Sequence, residues 1–119
     1  MPSRKRVLML LGSYDPGAHA GIARAARELN WHLDSSVLKT FRLPGQLKAD
    51  GIITSLNDSK QLQHFVTHSP LPAVDLSIWR QDIPVPRVAA DNFAIGQVAA
   101  QHLHAYGHKT YAWFALQKN

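Results

Sequence analysis

Cysteine is absent from this chain of 119 residues, which excludes disulfides, thiolate metal ligands and cysteine nucleophiles. Acidic residues are few: eight Asp and Glu stand against thirteen Lys and Arg, for a formal net charge of +5. The basic residues are scattered apart from Arg4-Lys5-Arg6, so the charge alone does not indicate nucleic-acid binding. Long apolar runs are also missing, and the run at residues 7–11 is too short for a signal-peptide core or a membrane span. We therefore expect a cytoplasmic protein with no membrane partner.

Apolar runs and helical periodicities alternate along the chain, in a composition that is 45% apolar and typical of a folded domain. The pattern predicts strands at 7–11, 31–38, within 49–55, and at 73–77, 87–90 and 110–116, with helices near 20–29, 60–66 and 92–106. Alternating elements of this kind predict an α/β fold with a parallel sheet, helices on both faces and right-handed crossovers. The expected architecture is a three-layer, doubly wound sheet.

Polar and aromatic side chains follow the predicted strands at the edge where open α/β sheets bind ligands. They are Ser13, Tyr14, Asp15, Asn57, Asp58, Trp79, Asp91 and Asn92. Carboxylates and amides hydrogen-bond sugar hydroxyls, and aromatic faces cover the apolar side of a sugar ring. Five of these residues also have a structural alternative: Asp91 and either Asn57 or Asp58 would cap helices, Asp15 would turn the chain, and Trp79 would pack in its loop.

Motifs for catalysis, cofactors and metals are weak. His64 and His68, like His104 and His108, are four residues apart, but without a His-Glu-x-x-His pattern the spacing does not predict a metal site. The chain has no Gly-x-Ser-x-Gly elbow and no glycine-rich phosphate loop, so we predict no catalytic residue and no cofactor. A small α/β enzyme, or a flavodoxin-like or receiver-like domain, remains the alternative class because it shares the alternating pattern.

Four segments resemble one family. Residues 85–92 (VPRVAADN), 106–109 (YGHK) and 111–114 (YAWF), together with 49–53 (ADGII), resemble the ligand-binding domains of lactose-repressor-type regulators, which have the type 1 periplasmic-binding-protein fold. Within that family the chain is most similar to xylose-operon regulators of the AraC type. Tyr14-Asp15 and Asp91-Asn92-Phe93-Ala94 support this narrower likeness, as does the lack of a helix-turn-helix pattern before Val7.

The resemblance implies a part of a bacterial transcription regulator that senses a sugar, with xylose as the expected effector and a periplasmic-type sugar-binding protein as the alternative. It implies that residues 1–109 form a Rossmann-like N-terminal lobe and that 110–119 begin a second lobe absent from the chain. DNA would then be contacted only through a further, absent domain. We expect a homodimer or strand-exchanged oligomer through residues 110–116, and weak sugar binding by this chain alone.

Overall fold

The computed structural model describes residues 3–44 and 48–115 and contains four strands and four helices there. They are β1 (Arg6–Leu11), α1 (Pro16–Glu28), β2 (His32–Asp34), α2 (Val37–Thr40), β3 (Gly51–Ser55), α3 (Lys60–His68), β4 (Ala73–Asp75) and α4 (Asn92–Ala105). The chain divides into two compact units, Met1–Ala89 and Ala90–Asn119. No helix in the described ranges is long and apolar enough to cross a membrane.

The first unit is built on a parallel sheet with the strand order β2-β1-β3-β4. β1 lies in the interior of this sheet, pairing Leu8 with Asp34 of β2 on one side and with Ile52 of β3 on the other. An interior strand covered on both faces has no solvent side, which explains why β1 is apolar without alternation. The predicted parallel α/β sheet is confirmed.

Helices cover opposite faces of the sheet. Leu8 and Leu10 pack in a buried cluster with Leu62 and Val66 of α3. Val7 and Met9, which alternate with them along β1, are also buried, and Val7 lines a groove together with Ile22 of α1. Because successive strand residues point to opposite faces, α1 and α3 lie on opposite sides of the sheet. The first unit therefore has the predicted three-layer arrangement.

The second strand is shorter than predicted. β2 ends at Asp34, and Val37 and Leu38, predicted to be part of a strand, instead belong to the short helix α2. The Asp34 carboxylate accepts a hydrogen bond from the Ser36 backbone N–H at 3.0 Å, which closes a local turn directly after the strand. This turn ends the strand and starts the helix. Pro44-Gly45, a dipeptide typical of turns, lies partly outside the described residues.

The predicted strands at 73–77 and 87–90 are also reduced. β4 stops at Asp75, whose carboxylate accepts a hydrogen bond from the Ser77 backbone N–H at 3.0 Å and so turns the chain. Residues 87–90 contribute only a single parallel bridge, between Asp75 and Arg87. The pairing with β4 cannot continue to the residues before Arg87, because Pro86 has no backbone N–H to donate to β4.

The second unit holds the helix α4 followed by an irregular segment. Asp91 caps the helix, and Gly107 follows it with φ +81°, the left-handed conformation predicted for a residue that closes a helix. Residues 110–115 form no strand, and Leu116 lies outside the described residues. A lone helix has no second layer within its own unit, and α4 has no buried residue there. The assignment of residues 110–119 to a second lobe stays a prediction.

Candidate functional site

Two loops meet at the carboxyl edge of the sheet in the first unit, one after β1 and one after β3. The Gly12 backbone N–H donates to the Ser55 carbonyl at 2.9 Å, and the Asn57 side-chain amide donates to the Gly12 carbonyl at 2.8 Å. A Cβ atom at Gly12 would come within 2.5 Å of the Ser55 carbonyl oxygen and 2.7 Å of Asn57 Cγ. Glycine is therefore required for this close approach of the loops. The contact holds Ser13, Tyr14 and Asp15 beside the loop after β3.

Asn57 joins the two loops and does not cap α3. Its Oδ1 accepts from the Ser59 backbone N–H at 2.9 Å while its Nδ2 donates to Gly12. The cap of α3 is Ser59, whose hydroxyl accepts from the Leu62 N–H at 3.2 Å. The predicted cap at Asn57 or Asp58 is wrong because the turn closed by Asn57 delays the start of the helix until after Ser59.

Asp58 and Trp79, predicted separately, are brought together. The Trp79 indole Nε1–H donates to Asp58 Oδ1 at 2.6 Å, across a sequence separation of 21 residues. Trp79 is 41% exposed, so the indole is held in place without being buried in the core. The pair presents an aromatic surface and a carboxylate next to each other, which are the two kinds of group that a sugar ring contacts.

Tyr14 and Asp15 lie at the start of α1. Asp15 is the cap of this helix, since its Oδ1 accepts from the backbone N–H groups of Gly17 at 2.8 Å and Ala18 at 3.3 Å. The Tyr14 hydroxyl lies 2.8 Å from Nδ1 of His19, and the two rings pack edge to face. Tyr14 is 54% exposed, so its ring is oriented by His19 and remains open to solvent. Sequence reasoning did not identify His19, although its position one turn into α1 places it on the face next to Tyr14.

Asp91 and Asn92 belong to the second unit. Asp91 Oδ1 accepts from the Ala94 backbone N–H at 3.0 Å, as predicted for a helix cap, and Asn92 is the first residue of α4. Both side chains are exposed. A role for either residue in ligand binding stays a prediction.

A buried ion pair that the sequence analysis missed holds the loop between β4 and residue 87. Asp75 is fully buried, and its Oδ1 accepts from the backbone N–H groups of Leu56 and Ser77, each at 3.0 Å. Its Oδ2 accepts from Arg87 Nε at 3.1 Å, and the Arg87 guanidinium also donates to the Arg80 carbonyl at 2.9 Å. Asp75 thus connects the end of β3 to the loop that carries Trp79. The sequence signal for this buried ion pair is the presence of one carboxylate, that of Asp75, inside an apolar segment.

The paired histidines do not form a metal-binding cluster. The His64 and His68 rings stack with centroids 3.9 Å apart, and His68 Nδ1 lies 3.0 Å from the His64 carbonyl oxygen. α4 ends at Ala105, so His104 and His108 do not share a helical turn. In the part of the chain that the structure describes, no three His, Asp or Glu side chains come together in a way that could hold a metal ion.

A parallel sheet between layers of helices, with polar and aromatic side chains at its carboxyl edge, defines a ligand-binding domain of the open α/β class. The chain belongs to the family described as periplasmic binding proteins and sugar binding domain of the LacI family, whose model matches residues 19–119. Comparisons with curated proteins and with solved structures gave no match. The family inferred from the sequence is confirmed, and the narrower likeness to xylose-operon regulators stays a prediction.

Proposed function

We propose that this domain binds a pentose, with D-xylose the first candidate, and that it is the sensing part of a bacterial transcription regulator. The observation that carries the proposal is the Trp79–Asp58 pair at the carboxyl edge of the sheet, with the indole fixed by a 2.6 Å hydrogen bond. Family membership supplies the sugar as the class of ligand. The narrower choice of a pentose rests on the resemblance of Tyr14-Asp15 and residues 91–94 to xylose-operon regulators.

The chemistry of the edge suits one ring with several hydroxyl groups. Asp15 and Asp58 are acceptors for sugar hydroxyls, and Tyr14 and Trp79 offer aromatic faces for the C–H side of the ring. Asp15 already accepts two backbone N–H groups, and a carboxylate has about four lone-pair sites, so capping leaves acceptor capacity for a ligand. Asp91 and Asn92, at the start of α4 in the second unit, stay candidate ligand residues on the grounds of the sequence pattern alone.

The proposed regulator works by closure of two lobes on the sugar. Residues 1–109 are assigned to the first lobe, and residues 110–119 begin the second, which supplies the remaining contacts. A sugar changes the lobe angle only to the extent that it binds the closed form better than the open form. A second copy of the chain, joined through residues 110–116, and a separate DNA-binding domain would transmit the change. We assign no catalytic step to this domain.

A periplasmic-type sugar carrier is the second candidate, because the family description names periplasmic binding proteins beside regulator domains. The two functions differ in their partner. A regulator binds operator DNA with an affinity that changes when the sugar is present, whereas a carrier binds the sugar alone. Gel-shift titration of the full-length protein on its own promoter, with and without D-xylose, separates them.

Calorimetric titration tests the ligand. The full-length protein encoded by the gene is titrated with D-xylose, L-arabinose, D-ribose and D-glucose, beside the Asp58→Asn variant. The substituted side chain can still accept from Trp79 but has lost its charge, so we expect affinity for the preferred pentose to fall about tenfold. Glu28→Gln, at an exposed ion pair on α1, is the control and should bind as the wild type does. Failure of all four sugars to bind at millimolar concentration contradicts the proposal.

A further inference from the structure

A cavity of about 300 Å³ opens beside Tyr14, between the end of β1 and the helices α2 and α3. Its walls are largely aliphatic and aromatic, with Leu10, Leu43, Leu62 and Phe41 among them, and its polar side chains are those of Tyr14, Asn57, Ser59 and Gln61. Tyr14 and Asn57 therefore belong both to this cavity and to the loops of the proposed sugar site. Whatever occupies the cavity lies next to the sugar.

The aliphatic wall of the cavity does not suit a second set of sugar hydroxyls. A hydroxyl placed against Leu10 or Leu62 would lose its hydrogen bonds to water and gain none in return. An apolar ring has no such cost. A cavity of roughly 150 Å³ lined by aliphatic and aromatic side chains is known to bind benzene, so about 300 Å³ has room for a phenyl group and the atom that links it to a sugar.

Phe41 gives a second, independent reason. It follows α2 with φ +54°, a left-handed conformation that is unfavourable for a bulky residue. Its side chain is 88% exposed, so burial of the ring does not offset the unfavourable backbone. Within residues 3–44 and 48–115, the other non-glycine residue with positive φ is Asn30 at +56°, a residue type that adopts this conformation readily. A left-handed residue is common where a helix ends, but a bulky aromatic one is unfavourable there, and strained residues of this kind are enriched at ligand-binding positions.

We propose that Phe41 and Tyr14 form an aromatic subsite for an aglycone, so that the preferred ligand is an aryl glycoside and not the free sugar. The inference rests on the proposed sugar site, which it extends. Phe41 is a specificity-determining residue in this account: it contributes to binding of the aryl group and not to binding of the sugar ring.

Calorimetry with two probes tests the subsite. The full-length protein is titrated with D-xylose and with phenyl β-D-xyloside, as wild type and as Phe41→Ala, Phe41→Trp and Asn30→Gly. We expect the phenyl glycoside to bind about tenfold or more tightly than the free sugar, since it buries additional apolar surface. Phe41→Ala should reduce this ratio about two- to tenfold with little change in xylose affinity. Phe41→Trp should retain the ratio, and Asn30→Gly, the matched left-handed position, should leave it unchanged.

Other outcomes overturn the subsite or the sugar site separately. Equal affinity for the two probes refutes the subsite and leaves the sugar site standing. Binding of the phenyl glycoside that depends on Phe41, with no binding of any free sugar, supports the subsite and contradicts the proposed sugar site. Binding of neither probe refutes both. A large fall in melting temperature for Phe41→Ala would show that the ring is structural and would also refute the subsite. Phe41→Gly removes the steric strain of the left-handed backbone, so this variant should be at least as stable as the wild type.

Discussion

Removal of the Asp75 carboxylate tests whether the buried ion pair holds the edge of the sheet. In Asp75→Ala the backbone N–H groups of Leu56 and Ser77 lose their acceptor, and Arg87, only 18% exposed, loses its counter-ion. Breaking a buried pair by deleting one partner costs about 3–5 kcal/mol. Asp75→Asn keeps an oxygen for the two backbone N–H groups but turns an amide NH2 toward the Arg87 guanidinium, so both the charge and the hydrogen bond to Arg87 are lost. Because the two N–H groups keep their acceptor, we expect a smaller cost of about 1.5–3 kcal/mol.

Urea denaturation followed by circular dichroism measures both losses as shifts of the midpoint at a constant m value. The control is Glu28→Gln, which breaks the Arg24–Glu28 pair, where both side chains are more than 60% exposed. Exposed pairs contribute about 0–1 kcal/mol, so the control should stay close to the wild type. The order expected is Asp75→Ala least stable, then Asp75→Asn, then the control. If Asp75→Ala lies within about 1 kcal/mol of the wild type, the reasoning that Asp75 holds these loops is refuted.

Two further predictions concern packing and pH. Gly12→Ala should destabilise the fold by about 1–3 kcal/mol, because its Cβ would lie 2.5 Å from the Ser55 carbonyl oxygen. Gly21→Ala is the control: a Cβ there has no atom within 4 Å, so the variant should stabilise α1 by about 0.5–1 kcal/mol. Equal melting temperatures for the two variants would contradict this prediction. The Arg6 guanidinium, with help from a hydrogen bond of Ser36, lowers the pKa of Asp34 from 3.8 to about 2. Ionised Asp34 therefore stabilises the fold above about pH 4, and this contribution is lost as the pH falls toward 2. Asp34→Asn should cost about 1–2 kcal/mol at pH 7, a range that allows for solvent screening around the 43% exposed Arg6, and no more than about 0.5 kcal/mol at pH 2, where about half of Asp34 is still ionised. An equal cost at both pH values would contradict the assignment.

The sequence was sufficient where one signal dominates a segment. The unbroken apolar run of β1, the β-branched run of β3 and the Asp91 cap each correspond to an element in the structure. These signals are local, and neighbouring residues within one element are enough to create them. The parallel sheet then follows from the alternation of strands with helices.

Turns closed by side chains caused most of the wrong boundaries. Asp34, Asn57 and Asp75 each accept a hydrogen bond from the backbone N–H two residues later, and each ends a strand or delays a helix. An Asp or Asn in a sequence can cap, turn or bind, and the residues themselves do not say which. The turn closed by Asp34 ends β2, and for this reason Val37 begins a helix and does not continue the predicted strand.

Contacts between distant residues could not be predicted from the sequence. Trp79 and Asp58 are 21 residues apart, and Asp75 and Arg87 are 12 apart. Which loops meet depends on the order of the strands in the sheet, and the sequence pattern does not specify that order. Phe41 could not be identified from the sequence, because its left-handed backbone leaves no pattern in the neighbouring residues.

Backbone amide shifts during a sugar titration report where on the sheet a ligand binds, and they therefore test whether the sugar site lies at the carboxyl edge. With isotope-labelled full-length protein and D-xylose, we predict perturbed amides in the loops that follow β1, β3 and β4, including those of Tyr14, Asp58 and Trp79. Amides at the opposite edge, such as those of Arg6 and Asp50, should not change. Perturbations confined to that opposite edge, or no perturbation at millimolar sugar, would contradict the account.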